Sequence, residues 1–265
     1  MIRLSSIVQE NPTAVFIRRT QVTSFADRAA FEAAGRAIAE DVFGADGQAP
    51  SEKIVIKPNV VAGRARNPQG EVIREQDGGI VTNAHFVGGV IDALRAAGAS
   101  DLVITEGATV DQRAYFRDRE YDRMAEPRGV PLIATCKEAY VNGELNWATV
   151  DGVVFREIPV PKPVNDPGTR LLNIPTLKTH NLSITTLCVK NLQGCVAHGY
   201  KHYCQSLDYV RTNPPHVLRA FQPDFARRVE EGFRRHKAEG YPLWDKTDTR
   251  DEIYCQRACD TLLAL

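Results

Sequence analysis

The chain has 265 residues, 43% of them hydrophobic, and 33 Lys+Arg balance 33 Asp+Glu for a formal net charge of +0, the profile of an ordinary globular protein that excludes collagen-like and low-complexity chains. A neutral chain offers no bulk field to a polyanion, so neither nucleic acid nor an anionic membrane is an expected partner. Met1-Ile2-Arg3-Leu4-Ser5-Ser6 has no apolar h-region and no apolar run approaches the roughly 18 residues of a membrane span; the expectation is a cytoplasmic protein whose 6 cysteines are reduced, mostly packing thiols.

Short β-branched runs alternate with helical patterns, the habit of a parallel sheet wrapped by helices. Ala14-Val15-Phe16-Ile17 reads as a first strand. From Asp27 to Phe43, Phe31, Ala34, Ile38 and Val42 recur at helical spacing, with Gly44 as the stop. Lys53 to Lys57 is a strand broken by Pro58. Thr82 is the expected N-cap of a helix with Phe86, Val87, Val90, Ile91 and Leu94 on its apolar face, closed by Gly98. Asp101 to Thr105 then gives a strand, so the segment reads as a right-handed crossover with both strand ends on one sheet edge.

Further strands are expected at Gly129–Ala134, Gly152–Phe155 and Arg170–Ile174, with Pro159 to Pro163 as a rigid connector. After Pro214 the texture is helical and arginine-rich. Leu218, Phe221, Phe225, Val229 and Phe233 form one core-facing stripe, and Pro223 belongs at a helix start or kink. The expected fold is α/β, a mostly parallel sheet with helices on both faces over residues 1–213, carrying a helical C-terminal segment over 214–265.

Ligands of open α/β sheets bind outside the carboxyl ends of the strands, so the polar residues after each run carry the functional information. These are Lys57 and Asn59, then Glu106, then Lys178, Thr179, His180 and Asn181. The segment from Ser183 to Gln193 reads as a helix whose start, rich in hydroxyls and amides, favours an anion; Thr186 and Lys190, four apart, would share a face, with Asn191 beside them. A carboxylate or phosphate cradle follows. Lys57 and Lys178 bind or polarise the anionic or carbonyl group, Lys190 and Asn191 support them, and His180 or Glu106 transfers the proton. Gly63 to Gly70 and Asp77-Gly78-Gly79 suggest a loop bearing Arg64, Arg66 and Arg74, open to reading as a lid or as solvated arginines.

Ile56-Lys57-Pro58-Asn59, the Thr82–Gly107 helix and strand, Asn173 through His180 and Val189 through Cys195 together resemble the bacterial and archaeal family called domain of unknown function 362, over roughly Lys53 to His202. The resemblance implies an association with ferredoxin-like iron–sulfur modules and hence redox chemistry. The lysine–histidine segment is also similar, more distantly, to nickel-pincer lactate racemases, in which lysine and histidine hold an organometallic cofactor. The sequence has no four-cysteine cluster of ferredoxin spacing, and the family usually continues into an acidic, glycine-rich portion beyond the pattern found here. A redox partner subunit or a homo-oligomer is therefore an expected way to complete the site.

His198 and His202, four apart, with Cys195, Cys204 and Asp208 nearby, form a candidate site for iron, nickel or zinc. Cys255 and Cys259 share a helix face, with packing beside Ile253, Leu262 and Leu263 as the expected role. Walker-A, GxGxxG and GxSxG signatures are absent, so no nucleotide-loop cofactor is indicated. The leading expectation is an enzyme of redox, isomerase or lyase type acting on a small anionic molecule. Two alternatives stand beside it: a non-catalytic partner subunit of an iron–sulfur or redox assembly, and a mononuclear metal-dependent oxygenase using His198, His202 and Asp208.

Overall fold

A strand buried on both faces needs a continuous apolar run rather than an alternating one. In Lys53-Ile54-Val55-Ile56-Lys57-Pro58 every residue after the first is buried. In the computed structural model of the protein this run is one of the two inner strands of a four-stranded sheet. The structure describes residues 4–43, 52–64, 66–73, 79–107, 112–134, 144–180, 184–197, 200, 206–240 and 249–265, with the backbone alone at 184–186 and 251.

The described strands are β1 (Lys53–Pro58), β2 (Leu102–Glu106), β3 (Leu132–Ala134), β4 (Leu145–Thr149), β5 (Glu157–Pro161), β6 (Thr169–Ile174), β7 (Lys178–His180) and β8 (Ile184–Thr186). The helices are α1 (Ser6–Glu10), α2 (Arg28–Val42), α3 (Ala84–Ala96), α4 (Gln112–Asp118), α5 (Tyr121–Ala125), α6 (Cys188–Leu192), α7 (Leu207–Arg211), α8 (Pro215–Leu218), α9 (Phe225–Ala238) and α10 (Arg250–Leu263). No described helix is long and apolar enough to cross a membrane. The chain divides into two compact units that interleave in sequence: Met1–Thr105, Arg113–Ile133 and Pro167–Ile174 form the first, and Glu106–Gln112, Ala134–Asp166 and Pro175–Leu265 the second. The expected helical segment 214–265 falls in the second unit, together with β4, β5, β7 and β8.

The first unit is built on the sheet of order β3-β2-β1-β6, in which β1 runs parallel to both β2 and β6. The α/β expectation therefore holds, including the β1–α3–β2 crossover. Ile54, Ile56 and Ile104 pack with Val87, Val90, Ile91 and Leu94 of α3 in one core. Helices α2 and α3 touch backbone to backbone: a Cβ on Gly35 would lie 2.0 Å from the Phe86 carbonyl oxygen, and one on Gly89 2.0 Å from that of Glu32.

Ala14-Val15-Phe16-Ile17 is not a strand. Val15 and Ile17 are 86% and 91% exposed, and a run with high β-propensity but no ladder to join gains nothing from extended pairing. The α3 N-cap is Asn83, whose side chain accepts from the His85 and Phe86 N–H groups. Thr82, the expected cap, instead accepts from the Asn59 N–H and donates its hydroxyl to the Ile174 carbonyl.

In the second unit β4 and β5 form an antiparallel hairpin, and so do β7 and β8. The expected connector Pro159 to Pro163 thus begins inside a strand, where a two-stranded ribbon leaves room for residues without an N–H. Gly152 to Phe155 is a loop instead of a strand. It is gripped by the buried Asp260 of α10, whose carboxylate accepts from the backbone N–H groups of Val153, Val154 and Phe155 at 2.9, 2.7 and 2.9 Å. Gly152 admits that carboxylate, since a Cβ there would sit 2.5 Å from the Asp260 carboxyl carbon. Phe155, Phe221 and Phe225 follow one another in tilted ring contacts, with centroids 4.7 and 5.1 Å apart. On α10, Ile253 is buried as expected, but Leu262 and Leu263 are 51% and 60% exposed; the buried face is taken by Glu252, Tyr254, Arg257, Asp260 and Thr261.

Gly89→Ala is expected to lower stability by at least about 1–3 kcal/mol, because backbone must move to admit the methyl group. A urea midpoint matching the parent would refute the close α2–α3 contact. Asp260→Ala leaves two buried N–H groups, those of Val154 and Phe155, and the part-buried one of Val153 without their acceptor, at about 1–3 kcal/mol for each buried group; the expected result in calorimetry is a large drop in Tm, against which an unchanged melt would count.

Candidate functional site

The expected site residues fall into both units. In the first, Lys57 is fully buried and its ammonium donates to the Pro58 carbonyl at 2.6 Å. Asn59 clasps the chain before α3, its side-chain amide donating to the Ile80 carbonyl at 2.9 Å and its carbonyl accepting from the Thr82 N–H. Tyr121 donates its hydroxyl to the Thr82 carbonyl. The loop after β1 is fastened to α4: Asp118 receives the Arg64 N–H and the Arg66 guanidinium, and Arg119 donates to the Ala62 and Gly63 carbonyls. Against burial, those two donors hold the Asp118 carboxyl below the usual carboxylate range. Arg64 is held through its backbone N–H and Arg66 through its guanidinium, although the Arg66 side chain remains 47% exposed, and Arg74 lies outside the described residues. His85 sits between Glu120 at 3.2 Å and Glu32 at 3.4 Å.

The second unit gathers the remaining candidates. Ile184–Thr186 is β8, pairing with β7 in the register Lys178↔Thr186, Thr179↔Thr185 and His180↔Ile184. This overturns the expected Ser183–Gln193 helix. The helix present, α6, is only 5 residues long and has no side-chain cap. An anion cradle at a helix start is therefore not built here, and Thr186 shares a strand pair with Lys178 rather than a helix face with Lys190. Asn181 lies outside the described residues, Thr179 is exposed, and Asn191 is buried on α6.

What the fold brings together is charge. Lys178 on β7 is half-buried, and its ammonium feels both Lys190 from α6 and Glu106 from the end of β2. Glu106 is 1% exposed, one carboxylate oxygen accepting from the Gly107 N–H at 2.8 Å. Burial first, then the like charge of Lys190, lowers the Lys178 ammonium from 10.5 to about 8, while Glu106 pulls the other way. The folded value lies below the unfolded one, so between about 8 and 10.5 the unfolded chain binds more protons. Lys178 therefore subtracts from stability below about 8, and the penalty disappears as pH rises through that window.

Tyr254 of α10, which the sequence reading missed, completes the cluster. Its ring stacks on the His180 imidazole with centroids 5.3 Å apart and planes 10° apart, and the Lys190 ammonium stands 5.6 Å from the same ring centroid. The signal available in the sequence was the run of polar residues on a helix face that also carries Ile253.

A family model described as Domain of unknown function (DUF362) matches residues 54–235. The chain belongs to this family. The match includes Lys57, Glu106, Lys178, His180 and Lys190 and ends before Tyr254. Neither the curated proteins nor the solved structures gave a match to this family member.

Among the described residues no three His, Cys, Asp or Glu side chains converge as a metal site requires. His198, His202, Cys136 and Cys204 lie outside the described residues, and Asp208 is exposed and paired with Arg211 at 2.8 Å. Partial burial and the Asp260 and Glu252 carboxylates push the Cys259 thiol up, away from the thiolate that a ligand or redox pair would need.

Reductive methylation with labelled formaldehyde makes each lysine visible by NMR. Lys178 is expected to titrate near 8, Lys190→Met to raise that midpoint and Glu106→Gln to lower it. Identical midpoints in both variants would mean that neither charge reaches Lys178.

Proposed function

We propose that this family member is an enzyme acting on a small anionic metabolite, with the anion held by Lys178 and Lys190 and the proton moved by Lys178 or His180. The observation that carries the reading is that the half-buried Lys178 ammonium feels the charge of Lys190, while His180 of the same strand β7 and the Lys190 ammonium lie against one Tyr254 ring. Like charges held together by a fold are complementary to an anion, and an anion relieves the repulsion that lowers Lys178.

A lysine poised near 8 is partly neutral at physiological pH and so serves as a general base, a role an ordinary lysine fills poorly. Of the reaction classes left open by the sequence, proton transfer of isomerase or lyase type fits this arrangement best. Abstraction of a proton beside a carboxylate needs a base, a cationic clamp for the developing charge and a second group to return the proton. Lys178, Lys190 and His180 supply those roles. Glu106 tunes the base from below.

Binding of malonate or inorganic phosphate, followed by calorimetry in buffers of different ionisation enthalpy, tests the clamp. Anion binding should be accompanied by proton uptake at pH 8 that fades toward pH 6, and Lys178→Met should abolish the uptake. Exchange of carbon-bound protons of small carboxylates in heavy water tests the chemistry. The expected outcome is Lys178-dependent deuterium incorporation; absence of both saturable binding and exchange would overturn the proposal.

A further inference from the structure

Three features of α10 bear on the same residue. Tyr254 is 2% exposed, so its ring is enclosed by protein and cannot reorient without repacking. The ring carries both His180 and Lys190, two groups contributed by different elements, β7 and α6. Its backbone carbonyl accepts from the Gln193 side chain at 3.1 Å, which ties the turn after α6 to the same point of α10. Helix α10 is itself fixed through Asp260, six residues on, by three backbone hydrogen bonds. The matched family segment ends at residue 235, so this support comes from outside it.

We propose that Tyr254 is a positioning residue of the anion site, a rigid aromatic platform that fixes the His180 imidazole by stacking and the Lys190 ammonium by cation–π attraction, so that α10 is an integral part of the site. The inference rests on the reading of Lys178 and Lys190 as the anion clamp. The physical reason for an aromatic here is that its electron-rich face attracts a cation without neutralising it. A carboxylate in its place would pair with Lys190 and cancel the charge that the anion needs. Without the platform a lysine side chain gains rotamer freedom and leaves its like-charged neighbour, and the imidazole loses its fixed orientation toward substrate.

The first measurement uses the unaltered chain without ligand. The expected signals are nuclear Overhauser contacts between the Lys190 side chain and the Tyr254 ring protons, and upfield ring-current shifts on His180; their absence overturns the proposal regardless of any variant. The second compares Tyr254→Phe with Tyr254→Leu. The phenyl ring keeps the platform, so Tyr254→Phe should retain the His180 shift and the Lys178 midpoint near 8. Tyr254→Leu should lose the shift, move the Lys178 midpoint toward 10.5 as Lys190 departs, and weaken phosphate binding about two- to fivefold. A folded Tyr254→Leu with an unchanged midpoint would show that Tyr254 is only packing. Because the spectroscopic signals are read without ligand, failure of phosphate to bind the parent would count against the anion clamp and leave the platform standing.

Discussion

One buried carboxylate holds the second unit in register. Asp260 receives the N–H groups of three consecutive residues, and a loop that offers three donors to one side chain has few other ways to satisfy them once water is excluded. Burial pushes the Asp260 carboxyl above the usual carboxylate range, against the pull of those three N–H groups and of Arg228. The approach is open only because residue 152 is glycine. With Asp260 seated, α10 has a fixed rotation and height, and the rest of its buried face follows. Tyr254 meets His180 and Lys190, while Glu252 meets His236 at 2.7 Å and Gln256 at 2.8 Å. A polar contact that ties a loop to a helix thereby determines where the helix delivers an aromatic ring.

The parts of the fold legible in the sequence are those in which periodicity and environment agree. Ile54, Val55 and Ile56 are apolar without alternation because Lys53–Pro58 is an inner strand with parallel neighbours on both sides, and the α3 stripe faces the same core. Both follow from burial alone. Ala14–Ile17 has the same local signature but no neighbouring strand, and no local pattern encodes the presence of a partner. Ser183–Gln193 was misread for the converse reason. Ile184, Thr185 and Thr186 are β-branched, and three residues on a helix and three on a hairpin look alike until Lys178–His180 is seen to pair with them. In the same way Asn83 displaced Thr82 as the α3 cap because Thr82 was already engaged by Asn59 and Ile174, a tertiary demand invisible from the local sequence.

The candidate site divides along the same line. Glu106, Lys178, His180 and Lys190 stood out because charged and titratable groups at strand ends are conspicuous. Their geometry was not. The expectation drew the anion's stabilisation from free backbone N–H groups at a helix start, whereas on β7 and β8 the backbone groups belong to an antiparallel ladder. The proposed anion site therefore rests on side chains, which shifts the burden onto lysine charge and onto whatever holds Lys190 in place. Tyr254 escaped notice because a lone tyrosine beside an isoleucine on a helix reads as core, and it is indeed buried. What sets it apart is what lies against the ring, the His180 imidazole and the Lys190 ammonium.

Crowding of cations also sets the proton inventory of the site. Burial and Lys190 both favour the neutral amine at Lys178, and Glu106 favours the ammonium, so the balance leaves the residue near 8 instead of at either extreme. Without the Glu106 charge the Lys178 ammonium would be less favoured still, and without Lys190 it would be more favoured, though burial, the largest cause, would continue to hold it below its ordinary value. On the proposed reading, an anion arriving at the pair raises Lys178 and so draws a proton in, and chemistry that removes the negative charge releases it again. In the proposed site the same three charged groups couple binding to protonation, which is the property that a base acting beside an anionic group requires.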